Sequence, residues 1–297
     1  MEAHRMRTLR ASVENAVEYL PVESLETIAE RLGVPPERIA KLDSNENPYG
    51  PPPAVVAALA TLTDLHLYPD PDQRRARRAL ADYTGAPFER ILLGNGSDEL
   101  IDLLLLAVID PGDEVIVPVP SFGVYLSRPP LFGARVVTVP RTETFALDLA
   151  AIEQAVTPHT KLIFLASPNN PTGNLVSAGE LERLAHTGVL LVIDEAYYEF
   201  AGTTLQPFTE RYDNVVILRT FSKWAGLAGL RIGYGIFPSH IARALWRVKQ
   251  PFNVSVAAQV AVEAALADRE WLMERVELIR RERNRLFQEL QRYPFLR

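Results

Sequence analysis

A single lysine, Lys223, follows the apolar run 215–218 in the stretch L-R-T-F-S-K-W-A-G-L-A-G-L-R-I-G-Y (218–234), and no other basic residue occurs until Arg231. Burial disfavours an ammonium and lowers its pKa, so an amine held in such a place is the kind that condenses with a carbonyl carbon. Taken alone, Lys223 reads as well as an ordinary loop lysine. Asp194 ends another apolar run, V-L-L-V-I at 189–193, where a carboxylate is costly unless it is paired. Its plainer reading is a turn cap. In Asn95-Gly96-Ser97-Asp98-Glu99 the glycine lets backbone approach a ligand, and the amides of Ser97 and Asp98 open a helical run. Free N–H groups and the helix dipole favour an anion at such a point. A helix start with Ser97 as N-cap and acids in its first turn explains the same residues. Arg231 would add a planar fork suited to phosphate, and its apolar flanks argue against a surface ion pair.

These stretches occur with N-N-P-T-G at 169–173 and D-E-A-Y at 194–197. In this order and spacing they resemble fold-type I pyridoxal-phosphate aminotransferases, most closely the histidinol-phosphate aminotransferase branch, over nearly the whole chain. The resemblance implies that Lys223 holds pyridoxal 5'-phosphate as an imine and moves the proton between substrate and cofactor. Asp194 would keep the pyridine nitrogen protonated, as an electron sink requires. Asn170 and Tyr197 would bond the ring oxygen, and Phe122 would stack on the ring. Gly96, Ser97, Asp98, Ser222 and Arg231 would form the phosphate cup. Tyr68, in L-Y-P-D-P, would reach across a homodimer to the partner's phosphate. Phe122 and Tyr68 read equally well as packing aromatics. The N-E-N-P-Y segment at 45–49 would lie over the active-site mouth, or serve as a plain connector. The implied partners are a small amine donor and a 2-oxo acid, with histidinol phosphate and 2-oxoglutarate as the favoured pair. Transamination of aromatic or other amino acids and decarboxylation of a phosphothreonine-like substrate stay open. So does a chain that keeps the fold but only binds.

The elements that must position these residues are legible as alternating apolar strands and helices. Strands are expected at 91–93, 114–117, 135–139, 161–166, 189–193, 215–218 and 232–237. Helices are expected at 97–108 and 177–186, with a proline-broken segment at 122–132. Continuous apolar strands alternating with helices mean an α/β domain on a mainly parallel sheet. Such sheets place their sites outside the carboxyl ends of the strands. Ser97, Phe122, Asn170, Asp194 and Lys223 all fall just after strands, so five strand ends are expected to share one rim.

Residues 1–42 read as an N-terminal arm and short helix, in which Leu25, Ile28, Ala29 and Leu32 recur at helical spacing before Gly33. Residues 43–240 read as the large domain. Residues 241–297 read as part of a small, mostly helical C-terminal domain. The family continues past its long helix into a small sheet-bearing region with a substrate-binding arginine, and no strand follows residue 290 here. The apolar stripe of Leu272, Val276, Ile279, Leu286 and Leu290 is therefore expected to lack a cover in its own chain, either forfeiting ~1.5–3 kcal/mol per exposed side chain in an unstable C-terminal region or being buried against another subunit. Tight substrate binding is expected to suffer, and Arg292 and Arg297 lie in no motif that would replace that arginine.

Composition narrows the classes further. The 297 residues, 47% of them apolar, suffice for a large core. There is no cysteine, hence no disulfide or thiolate chemistry, and the five histidines are scattered, so no metal site is expected. A net charge of −6 argues against nucleic acid as partner. The one basic cluster, Arg74-Arg75-Ala76-Arg77-Arg78, reads as a solvated helix face. No apolar run approaches the ~20 residues that span a bilayer, and M-E-A-H-R-M-R at the start has no signal-peptide core, so a cytoplasmic protein is expected.

Overall fold

The computed structural model describes residues 9–14, 16 and 22–295. The readings made on residues 1–7, Leu296 and Arg297 lie outside the described residues. Seven strands form one sheet: β1 (Ile91–Gly94), β2 (Glu114–Val119), β3 (Arg135–Pro140), β4 (Thr160–Ala166), β5 (Leu190–Asp194), β6 (Val215–Thr220) and β7 (Gly233–Ile236). Their order is β1-β7-β6-β5-β4-β2-β3. All pairings from β6 to β3 are parallel, and β7 runs antiparallel to both β1 and β6. The sheet is thus mainly parallel, with one reversed strand that the apolar run at 232–237 gave no means of orienting. Reversal makes β7 start on the rim where the other strands end: Gly233 pairs with Gly94 on one side and Thr220 on the other. Arg231 is thereby delivered to the same rim from the opposite chain direction.

Both faces of the sheet are covered, which is why its strands read as unbroken apolar runs. Along β4, Ile163 and Leu165 join one core cluster while Leu162, Phe164 and Ala166 join the other, the period-two alternation of a strand. The first cluster takes Leu80 from the helix Arg74–Thr84, Leu181 and Leu184 from Ala178–Ala185, and Ala261 and Val262 from Val256–Ala267. The second takes Leu100, Ile101 and Leu104 from Ser97–Val108, and Leu245 from Ser239–Val248. Helices Pro53–Ala60 and Leu149–Ala155 add to the expected set. The segment at 122–132 becomes a short helix, Val124–Ser127, and a 3-10 turn, Pro129–Phe132. The helix Leu25–Leu32 is capped by Ser24, which accepts the Thr27 amide, and ended by a left-handed Gly33.

Two expectations are corrected. Arg77 does not belong to a solvated face: it is buried, donates to the carbonyls of Ile91, Asp72 and Phe88, and lies over the Phe88 ring. Three carbonyls, one just before the helix, one in the turn that follows it and one at the start of β1, satisfy the guanidinium and offset the cost of burying it. The stripe on the helix Arg269–Leu290 is also covered over its first half. Leu272 and Val276 are buried in the first core cluster, and Ile279 is half-buried. Only Leu286 and Leu290, 51% and 39% exposed, remain open to solvent. The helix packs its first turns against the chain's own helices Val256–Ala267 and Tyr198–Ala201, a tertiary cover that periodicity cannot reveal.

A buried ion pair locks the rim between β5 and β6. Glu195 accepts from Arg219 at 3.0 Å and 2.9 Å, and its other oxygen accepts the Leu205 amide at 2.6 Å. Both side chains are almost fully buried, so removing one partner would cost ~3–5 kcal/mol. The pair fixes the backbone that carries Asp194 next door.

Candidate active site

On this rim lies a cavity of about 390 Å³, within the size range of small-molecule sites. Of the residues expected from sequence, Ser97, Asp98, Phe122, Asn170, Asp194, Tyr197, Ser222, Lys223 and Arg231 line it together. Gly96 stands behind the wall, and Tyr68 is not part of it.

The Lys223 amine donates 2.7 Å to the Ser44 carbonyl and lies 6.0 Å from the centre of the Tyr197 ring. Burial pushes it below the usual lysine range; Glu46 opposes this and Arg231 adds to it. Asp194 is only 6% exposed. Its two oxygens accept the Tyr125 hydroxyl at 2.6 Å and the Ala196 amide at 2.9 Å. Burial nonetheless pushes its carboxyl up to about 6, because two neutral donors do not replace a cation. The Ala196 contact means that Asp194 caps the following turn as well as facing the cavity.

The two asparagines of N-N-P-T-G divide their work. Asn169 is buried and braces the turn, donating to the Pro120 carbonyl and the Thr172 hydroxyl and accepting from Ser121. That leaves Asn170 facing the cavity. The Tyr197 hydroxyl accepts from Asn45 at 3.0 Å. Phe122 meets Tyr125 edge to face at 5.5 Å, and Tyr125 stacks on Phe164.

Gly96 has φ 81 and is itself the N-cap residue, so Ser97 is the first helical residue rather than the cap. A Cβ on Gly96 would come within 2.7 Å of Arg231 Nη2, so only glycine lets the guanidinium lie against this turn. Contrary to the expectation from its apolar flanks, Arg231 does form a surface ion pair, with Asp98 at 3.0 Å and both side chains about half exposed, because β7 brings it onto the rim beside the start of the helix Ser97–Val108. Such a pair contributes only ~0–1 kcal/mol, so an incoming dianion can compete for the guanidinium. Ser222 is buried beside it, its hydroxyl accepting from Thr220 at 3.0 Å.

Sequence reasoning missed Tyr125 and Thr220. Tyr125 sits three residues after Phe122, a helical spacing that could have exposed it. The 43–46 segment does line the cavity, and Asn47 ties it down by donating to the Trp224 carbonyl at 2.9 Å.

The aminotransferase class I and II family matches residues 37–295 of this chain. The chain belongs to that family. It is 49% identical over 292 residues to the histidinol-phosphate aminotransferase of Roseiflexus castenholzii, covering 96% of this chain and 79% of the relative. With a chloroplastic histidinol-phosphate aminotransferase of Arabidopsis thaliana it shares 46% identity over 290 residues, covering 97% of this chain and 70% of the relative. Among solved structures, the Sinorhizobium meliloti histidinol-phosphate aminotransferase in complex with pyridoxal-5'-phosphate superposes with a TM-score of 0.83 at 29% identity, covering 95% of this chain and 77% of the other. The Thermus thermophilus aspartate aminotransferase with maleate gives 0.84 at 28% identity, covering 96% and 81%. The aminotransferase fold here is thus the mainly parallel seven-stranded sheet of the fold-type I enzymes, and the chain is an enzyme of the transaminase type. Among the described residues no helix is long and apolar enough to cross a membrane.

Proposed function

We propose that this aminotransferase uses pyridoxal 5'-phosphate to exchange an amino group between histidinol phosphate and 2-oxoglutarate, as a cytoplasmic two-fold homodimer. The observation that carries the cofactor is the pairing of two misfit charges on one cavity: an amine depressed by burial and a buried carboxylate that forms no ion pair among the described residues. A phosphate-bearing cationic pyridine suits both, and the Gly96 turn, where a Cβ would displace the Arg231 guanidinium, offers its phosphate a helix start with a guanidinium beside it. When bound, the cofactor supplies a carbonyl for amine exchange and a ring that accepts electron density.

Lys223 would be the residue that anchors the cofactor, and its amine, depressed by burial, would be the base that takes a proton from and returns one to the substrate carbon. Asp194 would hold a proton on the ring nitrogen, its carboxylate kept in place by the Tyr125 hydroxyl. Asn170 and Tyr197 would bond the ring oxygen, Phe122 would cover a ring face, and Ser97, Ser222 and Arg231 would hold the phosphate. The substrate follows from the naming of relatives at 46–49% identity from bacteria and plants.

The test is a half-reaction panel. Cofactor-loaded protein is mixed with histidinol phosphate, aromatic amino acids and aspartate, and loss of the bound-cofactor absorbance is followed. Histidinol phosphate should react fastest. A faster aromatic donor or aspartate would replace the substrate, and cofactor bound without conversion by any donor would turn the chain into a binding protein. Borohydride trapping and peptide mapping should find the cofactor on Lys223; an adduct on Lys41, Lys161 or Lys249 would end that assignment.

A further inference from the structure

Two segments bear on cofactor phosphate in the reading above, the turn 95–98 and the loop that carries Tyr68, and both hang on one side chain outside the cavity. Asn253 Nδ2 donates 2.7 Å to Glu99 Oε2, the same oxygen that accepts the Asn95 amide at 2.6 Å. Asn253 Oδ1 accepts from Gln73 Nε2 and from Lys249 Nζ, each at 3.0 Å. Gln73 closes the Tyr68 loop: it is 1% exposed, has φ 53, and bonds both the amide and the carbonyl of Leu93 in β1. The residue before Asn253, Phe252, stacks on Tyr68 with ring centres 4.4 Å apart.

We propose that Asn253 is a positioning residue for the cofactor phosphate, setting the Asn95–Ser97 turn and the Tyr68 loop from a single point. The inference rests on the pyridoxal-phosphate reading. A side-chain amide fits because it gives a donor to Glu99 and an acceptor to Gln73 and Lys249 at once. A carboxylate there would face the Glu99 carboxylate, and an apolar side chain would leave Glu99 and the buried Lys249 short of a partner. Asn253 does not line the cavity, so it acts through the segments it holds.

The experiment titrates wild type, Asn253→Asp and the double variant Asn253→Asp/Glu99→Gln with pyridoxal phosphate and, separately, with pyridoxal, which has no phosphate. Asn253→Asp should raise the Kd for pyridoxal phosphate about tenfold or more while leaving that for pyridoxal within about twofold. Adding Glu99→Gln should bring pyridoxal phosphate back to within about threefold of wild type. Both bonds fall on one oxygen of Glu99 in the wild type, so in the double variant the new side-chain amide turns to give its NH2 to the introduced carboxylate and its carbonyl to the Asn95 amide. Loss of fold would weaken both ligands together and would not be rescued. Equal weakening, absent rescue or an unchanged Kd for pyridoxal phosphate overturns the proposal. Wild type that binds neither ligand overturns the cofactor reading itself, and the inference with it.

Discussion

Asp194 makes a prediction whose sign depends on the cofactor. Its carboxyl, ordinarily near 3.8, is pushed up to about 6 by burial in the cofactor-free chain. A folded pKa above the unfolded one contributes stability that is complete below about pH 4 and lost as pH rises through 6, roughly 3 kcal/mol for this displacement. Asp194→Asn should therefore make the cofactor-free protein more stable at pH 8 by up to ~3 kcal/mol in urea unfolding, with the difference vanishing near pH 4. With pyridoxal phosphate bound the order should invert, since the carboxylate then faces a cation, and proton removal in the half-reaction should slow by orders of magnitude. A variant no more stable than wild type at pH 8 would mean that the carboxylate is not strained. At this scale Lys223, Asp194 and Asn170 were legible as residues of the cavity because each lies at, or within four residues of, the carboxyl end of an apolar strand. Tyr125 and Thr220 were not, since their value lies in which polar groups the fold sets opposite them. Arg77 misled for the converse reason: its partners are backbone carbonyls, which leave no trace in composition.

Among the elements, the 43–50 segment and the 221–231 loop meet backbone to backbone, and that contact shapes the cavity mouth. Gly226 has φ 66, and a Cβ there would lie 2.3 Å from the Gly50 carbonyl oxygen. Gly226→Ala should cost at least ~1–2 kcal/mol from the left-handed backbone alone, more from the clash, and should push Ser44 off the Lys223 amine. Thermal melting and the pH dependence of the Lys223 adduct report the two effects, and an adduct that titrates as in wild type would show that the segment does not govern the amine. The helix Arg269–Leu290 gives a second comparison. Leu272→Ala should destabilise by ~2–5 kcal/mol, whereas Leu290→Ala should stay within ~0.5 kcal/mol, because only the first is enclosed by the chain. Equal costs would mean that the far end of the helix is also covered in solution. Strand and helix positions were legible from periodicity. The direction of β7 was not, because a run of four buried residues carries no sign of which way its neighbours point.

For the whole molecule, the decisive residue is Tyr68, 80% exposed on its own chain, outside its own cavity and stacked on Phe252. A large aromatic stacked on one neighbour yet left mostly in solvent is placed to serve another surface. In the proposed homodimer that surface would be the partner's phosphate cup, and each site would be a composite of two chains. Tyr68→Phe should then raise the Kd for pyridoxal phosphate about tenfold, as for one lost hydrogen bond to a charged group. The sharper test uses two defective variants. Tyr68→Ala spoils the site it reaches into, and Lys223→Ala spoils the site of its own chain. When the two proteins are mixed and allowed to exchange subunits, each mixed dimer contains one site with an intact lysine from one chain and an intact tyrosine from the other. Covalent cofactor binding of wild-type affinity should reappear in one of the two sites of each mixed dimer. If the mixture binds no better than Tyr68→Ala alone while sedimentation shows that subunits have exchanged, Tyr68 serves its own chain or none.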